Sequence, residues 1–128
     1  MLCELVRYLE VTMCERPDGT KPRLSVIVSA WDLVDHETLE QGPVAYLEKE
    51  YPLFAGRLDD CSAIEIKIFG LSIVGGDLKY DLAFRDQFLD SVFDENGWVA
   101  IRNTDTGLWE KQPDITLPVS WLVESVSE

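Results

Sequence analysis

A chain of 128 residues, with 46% hydrophobic and 27% charged side chains, has the length and apolar content to bury a core, which excludes a disordered tail. Its formal charge of −13 argues against direct binding to nucleic acid or to an anionic membrane, because a field of that sign repels both. No apolar run approaches a membrane span, and Glu4 and Arg7 interrupt the opening segment where a signal peptide needs continuity, so a cytoplasmic protein is expected.

No linker, repeat or low-complexity stretch divides residues 1–128, and one domain is expected. In chain order, Leu5, Leu9, Val11 and Met13 share one parity, and Leu24, Val26, Val28 and Ala30 alternate with Ser25 and Ser29. With turn chemistry at Arg16-Pro17-Asp18-Gly19 between them, this pattern predicts an antiparallel hairpin. Asp35 or Thr38 then caps a short helix, Gly42-Pro43 interrupts it, and Tyr51-Pro52 ends the helical segment that follows. Ile64, Ile66 and Ile68 alternate with Glu65 and Lys67 in the clearest strand of the chain, with a bulge or bend expected at Gly70.

Gly75-Gly76-Asp77 is expected to turn into a partner strand carrying Tyr80, Leu82 and Phe84. From Asp86, taken as an N-cap, Phe88, Leu89, Val92 and Phe93 follow helical spacing. Gly97 ends that helix, and Trp98 to Asn103 pairs with Leu108 to Lys111 around Thr104-Asp105-Thr106-Gly107. Ile115, Leu117, Val119, Trp121 and Val123 alternate through a last strand, which Pro118 confines to a sheet edge or marks with a bulge. The expected fold is therefore α+β: a mainly antiparallel sheet of about six or seven strands with two or three short helices on one face.

The charge is unevenly placed. Residues 1–31 are neutral, whereas residues 32–95 hold 15 acids against Lys49, Arg57, Lys67, Lys79 and Arg85. Asp86, Asp90 and Asp94 recur every fourth residue beside Glu95, a carboxylate stripe rising about 6 Å per step on a helix. That step is comparable with alternate phosphates on one DNA strand, at about 6.8 Å of axial rise. Glu37, Glu40, Glu48, Glu50, Asp59 and Asp60 make a second acidic group, and Trp109 and Trp121 are the candidate aromatic anchors. These residues predict a small acidic protein that binds a basic partner by electrostatic steering, as a stoichiometric inhibitor of a nuclease-like or nucleic-acid-binding protein does. A toxin-neutralising immunity protein and a phage anti-defence protein are of this type.

Two other functions compete with it. An open edge strand and four tryptophans suit a self-associating assembly protein or homodimer. Asp32, Asp35 and His36 are the best candidates for acid/base catalysis, with no nucleophile motif or phosphate loop beside them, so no enzyme is expected. No cofactor or metal is expected either. Cys3, Cys14 and Cys61 lack paired spacing and read as thiols, and Asn103 to Gly107 lacks the closing glutamate of a calcium loop.

Overall fold

The computed structural model describes residues 1–73, 80–90 and 97–124. Five helices and four strands follow one another as α1 (Leu2–Thr12), β1 (Arg23–Ser29), α2 (His36–Glu50), α3 (Pro52–Asp59), β2 (Glu65–Ser72), α4 (Leu82–Asp90), β3 (Trp98–Arg102), β4 (Trp109–Gln112) and α5 (Leu117–Val123). A short 3-10 turn, Trp31–Leu33, leaves the end of β1. The sheet runs β1-β2-β3-β4 and is mixed: β1 and β2 are parallel, joined by the crossover through α2 and α3, and the later pairs are antiparallel.

The fold is α+β, but three expected strands are absent. Residues 2–12 form a helix because Val6, Leu9 and Met13, three and four apart, face inward onto Leu58, Cys61 and Ile64. Leu5 and Val11, which shared the strand-like parity, face outward. The Arg16 to Gly19 turn does form, closed by the Gly19 amide on the Arg16 carbonyl at 2.8 Å, but it joins a helix to a strand. Leu82 lies in helix α4, which begins four residues before Asp86, so Asp86 is inside the helix and is not its cap. The last segment is also helical. Pro118 occupies the first turn, where its missing N–H costs nothing, and Leu117 and Trp121 turn inward one helical turn apart. The Gly75-Gly76-Asp77 turn, Val92 and Phe93 lie outside the described residues.

Other expectations hold. The Asp35 carboxylate accepts from the Thr38 amide at 2.7 Å and caps α2, which breaks at Gly42 and yields to Tyr51-Pro52. The β3–β4 hairpin closes on Asn103, whose side-chain oxygen accepts from the Asp105 amide at 2.9 Å, and Gly107 supplies the positive φ of 72°. Gly70 does not bulge. It stays in the β2 ladder and leaves room for the Trp31 indole, whose ring would lie 2.6 Å from a β-carbon there.

Helices cover both faces of the sheet, not one. Leu24, Val26, Ile66 and Ile68 share one face and pack beneath α1 and α3. The alternate residues meet α5: Ser25 donates to the Pro118 carbonyl at 2.8 Å, and Phe69 packs on Trp121 at 6.4 Å between ring centroids. Arg23 fixes the end of α5 by donating to the carbonyls of Trp121 at 2.6 Å and Glu124 at 2.9 Å, where a cation complements the helix dipole.

A bidentate ion pair joins α1 to α3: Arg57 reaches the two Glu10 oxygens at 3.2 and 2.5 Å. These bonds, assisted by the Cys61 thiol, hold the Glu10 carboxyl below its ordinary value, while burial and the neighbouring Glu10 push the Cys61 thiol up. A carboxyl lowered in the folded state contributes stability above its unfolded pKa and loses it as pH falls through the folded pKa. The stability difference between the wild type and Glu10→Gln is therefore expected to be constant from neutral pH to the ordinary carboxylate range and to shrink below it. Urea midpoints of the two proteins across that pH range measure this, and the relief of general charge repulsion, common to both, cancels.

Candidate binding site

Glu37, Glu40, Glu48, Glu50, Asp59 and Asp60 are all exposed on α2, α3 and the α3 cap, two helices that pack against each other. Glu40 pairs with His36 at 3.2 Å, and Glu37 accepts from Gln41 at 3.3 Å. Among the described residues no ion pair engages Glu48, Glu50, Asp59 or Asp60. Arg57, the nearby arginine, is committed to Glu10.

Position sharpens this. Glu48 and Glu50 stand in the last turn of α2, Asp59 is the last residue of α3, and Asp60 is its C-cap. Carboxylates at helix C-termini oppose the helix dipole, at about 0.3–1 kcal/mol each where solvent is near. Between the two acidic pairs the chain displays Tyr51 and Leu53, 48% and 82% exposed. An exposed aromatic and a leucine that lie in the chain between unpaired acids combine apolar and charged side chains, the residue types of which protein interfaces are built. Sequence reasoning passed over these two residues because Tyr51-Pro52 reads first as a helix stop. The signal was available in Leu53, an apolar side chain in the first turn after a proline.

The second acidic group is described only in part. Asp86 is exposed on α4, Asp90 is the last residue of that helix, and Asp94 and Glu95 lie outside the described residues. The described members of the two groups are carried by separate helices. Trp121 lies on a helix and not on the expected edge strand, 8% exposed, with the Arg23 guanidinium and the Lys67 ammonium 5.2 and 5.1 Å from its ring. Trp109 is half-buried, its indole packed against Gly42. Trp109 is on the edge strand β4 of the hairpin expected for it.

Asp32, Asp35 and His36 do not form an acid/base pair. The Asp35 carboxylate is spent on the α2 cap, and the Thr38 amide holds its pKa below the ordinary range. His36 turns to Glu40 in open solvent. Cys3, Cys14 and Cys61 are free thiols, of which Cys61 is buried.

A cleft of about 920 Å³ opens where β2 and β3 part, between α5 on one side and the α2–α3 layer on the other. Phe69, Ile101 and Trp121 line it from one face of the sheet, and Ile66, Ile68 and Trp109 from the other. Its volume falls in the range of small-molecule and peptide sites.

The fold is an α+β domain with an acidic α2–α3 layer and an apolar cleft beside a mixed sheet. The chain belongs to the Double-GTPase 1 family, whose model matches residues 1–122. No curated protein and no solved structure matches it. Among the described residues, no helix is long and apolar enough to cross a membrane.

Proposed function

We propose that this chain is a protein-binding component of its family, which docks a basic protein surface on the α2–α3 layer and acts stoichiometrically, not catalytically. The carrying observation is the placement of Glu48, Glu50, Asp59 and Asp60 at the ends of helices whose dipoles disfavour them, with the exposed Tyr51 and Leu53 between the two pairs in the chain. Acids kept where they cost stability are explained by a cationic partner that repays the cost on binding. In its finest form the reading is a neutraliser of a nuclease-like or nucleic-acid-binding protein, occupying the groove that would take phosphates. The chemistry resembles that of an immunity or anti-defence protein.

The test begins with a partner captured from the native cell and purified. Glu48→Lys with Glu50→Lys is expected to slow association about tenfold at low salt and to flatten its salt dependence. Leu53→Ala should act on dissociation instead. An unchanged association rate and salt slope would remove the α2–α3 layer from consideration.

Family membership favours a second reading, binding of a guanine nucleotide. The carboxyl ends of parallel strands β1 and β2 lie side by side, the place where open α/β sheets take such ligands. Against it, the sequence carries no G-x-x-x-x-G-K-[ST] phosphate loop. Titration with a fluorescent GTP analogue separates the two readings: saturable binding supports the nucleotide and its absence supports the protein partner.

A further inference from the structure

The cleft is a break in the backbone ladder, and the register says which groups it leaves facing open space. The Glu65 amide donates to the Pro22 carbonyl at 2.8 Å, so the backbone groups of Glu65, Lys67 and Phe69 point toward β1. Those of Ile66, Ile68 and Gly70 therefore point the other way, toward β3. Gly70 is met by Ala100, the first pair of the β2–β3 ladder. On the opposite wall the Asn103 amide donates to the Leu108 carbonyl at 2.8 Å, which turns the intervening Arg102 backbone toward β2. The next hydrogen-bonded pair of the ladder would be Ile68 with Arg102. It is not made, and both residues line the cleft.

We propose that the cleft accepts an extended apolar segment of another polypeptide as an added strand between β2 and β3. Only backbone offers donors and acceptors at strand spacing to both walls at once. Because β2 and β3 are antiparallel, the guest is parallel to one and antiparallel to the other. The part of β2 without a β3 partner, Glu65–Phe69, spans roughly 16 Å at about 3.3 Å per residue, enough for a short strand. Phe69, Ile101 and Trp121 meet one set of guest side chains, and Ile66 and Ile68 lie on the other side, so the guest presents consecutive apolar residues, not alternating ones. At the rim Lys67 and Arg102 balance Asp59 and Glu124, which leaves the central part of the guest uncharged. Beyond the rim, Asp60 and the net charge of −13 favour lysine or arginine flanks, the one clause that rests on the acidic-surface reading.

Amide hydrogen exchange on the full chain tests this. In the free protein the Ile66, Ile68 and Arg102 amides are expected to exchange about tenfold or more faster than those of Lys67 and Phe69. A synthetic peptide, Lys-Lys-Val-Ile-Val-Ile-Val-Lys-Lys, should slow Ile68 and Arg102 about tenfold, and the same peptide N-methylated at both isoleucines should bind about tenfold more weakly. Ile68 exchanging as slowly as Phe69 in the free protein, or no protection at saturating peptide, would overturn the proposal. Protection that grows with protein concentration alone would identify a second copy as the guest and overturn it too. A Glu-flanked peptide binding as tightly as the Lys-flanked one would overturn the acidic-surface reading and leave the strand site standing.

Discussion

Trp31→Ala is expected to lower unfolding stability by about 3–5 kcal/mol, the range for deleting a buried large aromatic side chain. Trp31 is 1% exposed and lies in the turn after β1, its indole laid over Gly70 of β2 and set edge-on to Tyr46 of α2 at 5.6 Å between centroids. It therefore joins the sheet to the crossover helices. The same contact makes Gly70→Ala costly by about 1–3 kcal/mol, since the added carbon would sit 2.6 Å from the indole. The two effects are not additive: in the Trp31→Ala background the space is open, and Gly70→Ala should cost little. Urea unfolding of the four proteins checks this, and a sum of the single effects in the double variant would refute the contact.

The second large effect falls at Gly42. Its φ of 90° and ψ of 167° lie in a region open essentially to glycine alone, and a β-carbon there would run into the Trp109 indole. Gly42→Ala is expected to cost about 2–5 kcal/mol, from backbone strain and overpacking together. Trp109→Leu should relieve the overpacking and leave the strain, so thermal unfolding of the double variant should recover part of the loss but not all. Full recovery would show that the backbone at Gly42 tolerates a side chain. Because Trp109 also lines the cleft, this contact fixes β4 against α2 and sets one wall of the proposed strand site.

The elements read correctly from sequence are those specified by local chemistry. Asp35 three residues before Thr38, the Gly42-Pro43 break, Tyr51-Pro52, the isoleucine alternation of β2 and the turn from Asn103 to Gly107 each act within a few residues. The misread elements, α1, the first turn of α4 and α5, have apolar spacings compatible with either period. Leu117 and Trp121 share the parity of a strand and also lie one helical turn apart, and packing on Phe69 decides between the two. The acidity was legible as a quantity and as a segment. Its placement at helix ends around Tyr51 and Leu53 was not, because helix boundaries set it.

What the sequence by itself determined, then, is an acidic α+β chain with one strong central strand, one late hairpin and a capped, broken helix before them, since caps, turns and alternation need only near neighbours. The tertiary structure alone decided that β1 runs parallel to β2, that helices cover both faces, and that β2 meets β3 only from Gly70 onward. Those outcomes depend on which apolar faces meet across long separations, and no local spacing encodes that choice.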